Sequence, residues 1–285
     1  MKTFACTINP GCGDILLVRN EMDTIKDQYD CISISPNKSI VDRCRDIGDG
    51  RYYIFCLEFM RMIFHDHPYK IVEDDSLPRF SIIDNDLKGL PITQDGLFKM
   101  NDYSDLLCDG KDYIEGDYII VTTKVRGTPL PDSYHRNYKE SLIQTLLSLS
   151  KKYKIILMGE RTPPQSPENI IWLPGKVYCI YDELISNLFI TNNVIDMTVD
   201  DIQMAVPDIN NLKKDCSIMK KAKAVITLGI GGNMIISTMA STKSINFIED
   251  ANYCPYYVGV VNYPQRNGVT ITNNFKKFIK ECKEI

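Results

Sequence analysis

Short apolar runs, each closed by turn-forming residues and followed by a helical stripe, recur along this chain. That alternation restricts it to an α/β architecture with parallel strands. The first unit is KTFACTI, stopped at Asn9-Pro10-Gly11 and followed by a helix that carries Ile15, Leu16, Val18, Met22, Ile25 and Tyr29 on one stripe. CISISP reads as the next strand, SIVDRCRDI as a helix, and RYYIFCLEFMRMIF as a second helix or a strand running into one. Between Asp66 and Leu107 the pattern is irregular, with IVEDD, FSIID and GLPI as short strands.

A polar, turn-forming stretch at residues 108–117 divides the chain into halves of 1–112 and 113–285. In the second half YIIVTTKV is a strand, TPLPDSYHRN a loop, YKESLIQTLLSLSKKY a helix and KIILMGE a strand. This is a βαβ unit, for which a right-handed crossover is the default. NIIWLP, AVITLGIGG and KSINFIED continue as strands, YDELISNLFI as a helix or a helix with a short strand and NMIISTMAST as a helix, and the segment around Pro207 is rich in helix. The amphipathic terminal helix NNFKKFIKECKEI turns Phe275, Phe278, Ile279 and Cys282 inward, docking on the protein and, in one arrangement, on the N-terminal half. The expected fold is two doubly wound, Rossmann-like halves facing across a cleft.

Composition narrows the function. A balance of 37 acidic against 33 basic residues, net −4, gives no global attraction to a polyanion, so nucleic acid is not an expected partner. No run approaches the ~18 apolar residues of a membrane span. Asn9, Pro10, Gly11 and Asp14 interrupt the apolar N-terminal stretch, which makes a poor signal peptide. The ten cysteines show no CxxC pair. Scattered in this way, they fit free thiols in the cytoplasm better than a zinc site. His65-Asp66-His67 has no evident further ligand, and no metal is expected.

Two glycine turns stand where strands hand over to helices, Gly11-Cys12-Gly13-Asp14 and Gly229-Ile230-Gly231-Gly232-Asn233. In open parallel sheets such turns line the ligand crevice. The first lacks the third glycine of a dinucleotide fingerprint and is followed by no P-loop lysine, so a nicotinamide cofactor is not expected. Asp14 opens the helix after it. Two roles stay open for this carboxylate: a partner of the helix dipole, or a general base facing the crevice.

GCGDILLV resembles the GDxL turn of the heptosyltransferase-like glycosyltransferases, the ADP-heptose:LPS heptosyltransferase family. YIIVTTKVRGTP, KIILMGE and KKAKAVITLGIGGNMIISTMAS resemble that family's donor-domain strands and glycine turn. The resemblance implies two facing Rossmann domains of GT-B type, with the acceptor on the first and a nucleotide-sugar donor on the second. It implies inverting, metal-independent transfer to a glycan or other hydroxyl, no cofactor, and Asp14 as catalytic base. Gly229-Ile230-Gly231 and Met234 stand where the family has Asp-Thr-Gly and a histidine, so donor contacts must differ. Backbone N–H groups at Gly229, Gly231, Gly232 and Asn233 would cradle the diphosphate, with Lys124 and Arg126 offsetting its charge. Gly13, Glu160, Arg161, Ser237 and Thr238 are further candidates. Two other readings share the fold, a nucleotide-sugar epimerase and a non-catalytic nucleotide- or sugar-binding protein.

Overall fold

The computed structural model describes residues 1–9, 11–37, 51–80, 99–127, 132–160, 176–179, 181–199, 208–229, 232–248 and 255–285. The first sheet is built from β1 (Thr3–Ile8), β2 (Cys31–Pro36), β3 (Tyr69–Ile71) and β4 (Arg79–Phe80). Helix α1 (Cys12–Ile25) follows β1, and α2 (Arg51–Ile63) precedes β3. All pairings are parallel, in the order β3-β2-β1-β4. The RYYIFCLEFMRMI segment is helix throughout, which settles the choice the sequence left open. The SIVDRCRDI helix and the GLPI strand lie outside the described residues.

A connector runs from residue 99 to 117 and carries the one-turn helix α3 (Ser104–Leu107). The second unit contains β5 (Tyr118–Thr122), β6 (Lys124–Gly127), α4 (Asp132–Leu149), β7 (Lys154–Glu160), β8 (Lys176–Cys179), α5 (Tyr181–Leu188) and β9 (Val194–Val199). It continues through α6 (Ile209–Lys221), β10 (Ala224–Leu228), α7 (Gly232–Ala240), β11 (Ser244–Phe247), α8 (Pro255–Asn262), β12 (Val269–Thr272) and α9 (Phe275–Lys283). Six strands form a parallel sheet ordered β12-β11-β10-β5-β7-β9, while β6 and β8 make a separate antiparallel pair. YIIVTTKV is therefore two strands broken at Thr123, and α4 opens at Asp132, inside the stretch expected as loop. The NIIWLP strand lies outside the described residues.

Alternation along the second sheet's strands divides its side chains between two cores. Tyr118, Ile120, Ile156, Met158 and Val225 join Ile15, Leu16, Met22, Met234 and Met239 in a core that also takes in the first sheet. Ile119, Val121, Ile155, Leu157 and Ile226 turn the other way, onto Leu142 and Leu146 of α4, Leu184 of α5 and Phe278 and Cys282 of α9. Burial on both faces is what a parallel sheet requires, and it explains the near-continuous apolar runs of its strands. The terminal helix packs on β11, β12 and α4, within its own half rather than on the N-terminal one. Asn274 caps it by accepting from the Lys277 N–H at 3.1 Å, and Asp208 caps α6 by accepting from the Asn210 N–H at 2.7 Å. Among the described residues no helix is long and apolar enough to cross a membrane.

Candidate functional site

Strand order fixes where a ligand can enter. In the first sheet the direction of strand addition reverses between β1 and β4, and in the second between β5 and β10. Each reversal opens a crevice at the strands' carboxyl ends. The two glycine turns occupy these places: Gly11 and Gly13 follow β1, and Gly229 follows β10. Gly229 adopts φ 80°, a left-handed conformation that favours glycine, and its N–H donates to the Phe247 carbonyl at 2.8 Å.

The turns meet across the molecule. A Cβ on Gly13 would lie 3.0 Å from Ile235 Cδ1 and 3.1 Å from Gly232 Cα, so the glycine is what admits this approach. Seven residues further along each helix, the connector binds both again. The Asn20 side-chain amide donates to the Lys99 carbonyl at 2.9 Å and accepts from the Asn101 N–H at 3.1 Å, while the Tyr103 N–H donates to the Met239 carbonyl at 2.9 Å. Helices α1 and α7 therefore run side by side in the same direction, with their amino ends level. First-turn N–H groups have no acceptor within their own helix, and each helix start carries about half a positive charge. Two such ends held together form a concentrated anion-attracting spot.

Asp14 stands in the first turn of α1, half-buried. Its carboxylate curls back over the turn, so that a Cβ on Gly11 would lie 2.7 Å from Asp14 Oδ2. This posture answers the dipole of α1 and keeps the acid at the junction of the two helix starts.

Thr122 is a residue the sequence reading passed over. It is the last residue of β5, on the same face as Tyr118 and Ile120, which is the face that carries α1 and α7. The side chain is buried, at 2% exposure, yet its hydroxyl has no hydrogen-bond partner. A buried hydroxyl without a partner is costly, and a ligand oxygen at the crevice would satisfy it. Its neighbour Thr123 has one, the Met158 carbonyl at 3.3 Å.

The other predicted residues separate. Gly232 and Asn233 begin α7. Lys124 and Arg126 lie on β6, which leaves the main sheet after β5 and packs beside β10, with Arg126 opposite Val177 of β8. Glu160 ends β7, paired in register with Val199. Gly231 and Arg161 lie outside the described residues. Ser237 and Thr238 are fully buried, and both hydroxyls donate to the Met234 carbonyl, at 2.9 and 2.7 Å.

Away from the crevice, α1 carries a buried ionic knot. Arg19 donates to both Asp66 oxygens at 2.6 and 3.0 Å, to Asp23 at 3.0 Å and to the Ile63 carbonyl at 2.5 Å, and lies 4.6 Å from the Tyr69 ring centroid. Tyr69 and Tyr103 donate to Asp23 at 2.9 and 2.8 Å. Burial disfavours the charged guanidinium, but its bonds to Asp66 and Asp23 outweigh this and hold the proton more firmly. Asp66 is thus an ion-pair partner placed between His65 and His67, and among the described residues no three His, Cys, Asp or Glu side chains gather as metal ligands. Burial pushes the thiols of Cys6 and Cys282 up to about 12, so these two act as core fillers and not as nucleophiles. Glu21, 1% exposed, has no partner for either carboxylate oxygen, and burial pushes its pKa up to about 8.

No protein-family model matches the chain, and no curated protein is significantly similar to it. Among solved structures it is similar to the dodecameric iron-containing heptosyltransferase TibC in complex with ADP-D-beta-D-heptose, at 10% identity over 90% of this chain, with a TM-score of 0.46. The glycosyltransferase TibC from enterotoxigenic E. coli H10407 gives 10% identity over 86% of this chain and 0.45. The chain spans 60% and 57% of the lengths of these two proteins. A glycosyl transferase of family 9 from Veillonella parvula DSM 2008 gives 12% identity over all of this chain and 90% of its own, with a TM-score of 0.49.

Proposed function

We propose that the chain transfers a sugar from a nucleotide diphosphate-sugar to an acceptor hydroxyl, with inversion and without a metal. One observation carries the reading: the starts of α1 and α7 stand level and in contact at the two sheet crevices, with a carboxylate on one of them. Residues 1–112 would hold the acceptor and residues 113–285 the donor. The diphosphate would lie on the first-turn N–H groups at Gly232 and Asn233, with the Thr122 hydroxyl donating to a phosphate oxygen. Lys124 and Arg126 would offset its charge from β6.

In the reaction the acceptor oxygen attacks the anomeric carbon while Asp14 takes its proton. The bond from that carbon to the phosphate oxygen breaks, and the electron pair leaves with the nucleotide diphosphate. Fixed N–H dipoles stabilise the charge that develops there, in a site where they need not reorganise. The curl of Asp14 over Gly11 favours a second reading, a nucleotide binder without turnover, in which the acid serves only the helix.

Thermal denaturation with ADP, UDP, GDP and dTDP tests the binding step. At a hundredfold excess over Kd a ligand adds about 2.7 kcal/mol, a rise of roughly 5 °C or more for a chain of this size. No shift with any of them counts against both readings. For the nucleotide that binds, Asp14→Asn is expected to keep the shift of the matching sugar donor and to abolish transfer to an acceptor. Donor conversion without an acceptor would indicate an epimerase instead.

A further inference from the structure

Between the halves, residues 99–109 of the connector are tied down on both sides as a brace is. Met100 is fully buried, and its N–H donates to Gln265 Oε1 at 3.0 Å, while Gln265 Nε2 donates to the Val260 and Tyr263 carbonyls at 3.2 and 3.3 Å. Asn20 of α1 takes both sides of the backbone at Lys99 and Asn101, and the Tyr103 N–H is bonded to the Met239 carbonyl of α7. The Tyr103 hydroxyl reaches back to Asp23 of α1, and the Leu107 side chain is fully buried. Further on, Ser217 of α6 accepts from the Asp109 N–H at 2.8 Å and donates to Asp109 Oδ1 at 2.7 Å. Arg266 closes the far end of α7 by donating to the Thr238 and Ser241 carbonyls at 2.6 and 2.7 Å, and stands 3.6 Å from Asp102.

We infer that residues 99–109 form a strut that sets the register of α1 against α7, so that the two helix starts are held together before any ligand arrives. The bonds run to both halves at alternate steps: Lys99 and Asn101 to α1, Met100 to Gln265, Tyr103 to both helices, Asp109 to α6. Hinge bending about this segment would break them together and expose Met100 and Leu107. Bending within residues 99–109 is therefore not how this chain makes its site. The crevice is preformed, and Asn20 and Gln265 act as positioning residues for it. Use of the crevice by a nucleotide diphosphate rests on the function proposed above, whereas the strut does not.

Hydrogen–deuterium exchange on the full chain without ligand tests the strut. Peptides spanning 99–109 are expected to exchange within about tenfold of those spanning β5 and β10, since opening must be nearly global. Exchange at least about a hundredfold faster, with β5 and β10 still protected, would overturn the strut, because it would reveal local release of a hinge. Asn20→Ala removes two hydrogen bonds and is expected to speed exchange at 99–103 by about tenfold or more. Unchanged exchange at 99–103 in a folded Asn20→Ala protein would also refute it. If that variant fails to fold, Gln265→Ala on the loop before β12 makes the same test at Met100. A slow connector in a protein that binds no nucleotide would leave the strut standing and remove the functional reading alone.

Discussion

Replacing Glu21 with glutamine should remove a large part of the pH dependence of this protein's stability. The carboxyl is buried in α1 without a hydrogen-bond partner, and burial moves its pKa from 4.5 to about 8. The folded chain therefore holds this proton where the unfolded chain has released it. Stability from this group is fully present below pH 4.5 and is lost as pH rises toward 8, because the native state binds the extra proton throughout that window. At 1.36 kcal/mol per pKa unit, the loss between pH 5 and pH 8 is about 3 to 4 kcal/mol, a large share of the total for a typical domain. Urea denaturation followed by circular dichroism at pH 5, 6, 7 and 8 reads it. The Glu21→Gln protein should gain on the parent by an amount that grows with pH and reaches about 3 kcal/mol near neutrality. Every other titrating group is common to both proteins and cancels in the difference. A difference that stays constant from pH 5 to pH 8 would refute the reasoning, since it would mean that Glu21 ionises alike in the two states. The position also matters to the site, because Glu21 lies two helical turns below Asp14 on the same face of α1.

Other expectations follow from single contacts. Gly13→Ala puts a methyl 3.1 Å from the backbone of Gly232, and should cost about 1–3 kcal/mol and push the helix starts apart. A melting temperature equal to the parent's would show that the seam is looser than described. Thr122→Val keeps the shape of a buried side chain and removes its unpartnered hydroxyl. Stability should hold or rise while affinity for a bound nucleotide diphosphate falls by roughly tenfold in calorimetry, and unchanged affinity would remove Thr122 from the site. Arg19→Met leaves Asp66 without its guanidinium and Asp23 with the Lys26 ammonium 3.4 Å away, and should cost about 3 kcal/mol, seen as a fall of roughly 10 °C in melting temperature. A loss below about 1 kcal/mol would mean that water reaches the pair freely.

Legibility followed burial. Strands buried on both faces, such as β5, β7 and β10, announce themselves as unbroken apolar runs, and α1 does so by its stripe. The element missed most completely, β9, lies at a sheet edge, where Asp196 interrupts the apolar run and the strand is largely half-exposed. Strand β12 is another edge, four residues long with two threonines, and α8 is rich in Tyr and Val, residues with weak helix propensity. The start of helix α4 at Asp132 was hidden because Asp132-Ser-Tyr-His offers no apolar stripe, which begins only at Leu142. At the site, both glycine turns were visible, because a strand-turn-helix junction is local. The contact of Gly13 with Gly232 was not, since it joins residues remote in sequence. Thr122 and Thr123 look alike in the chain, and only the neighbours of each hydroxyl distinguish them. The bonds of Ser237 and Thr238 to the Met234 carbonyl are equally invisible in the chain.

The unequal ownership of the two cores bears on how the chain can be made. One is assembled entirely from residues 119–285, whereas the other draws its packing from both ends of the sequence, from Cys6 to Ile271. A ribosome releasing this polypeptide in order delivers the β1–α1 portion long before Met234, Ile235 and Met239 emerge to cover it. The β1–α1 portion must therefore wait, with apolar surface open to chaperones or to misassociation, until the β10–α7 portion has been made.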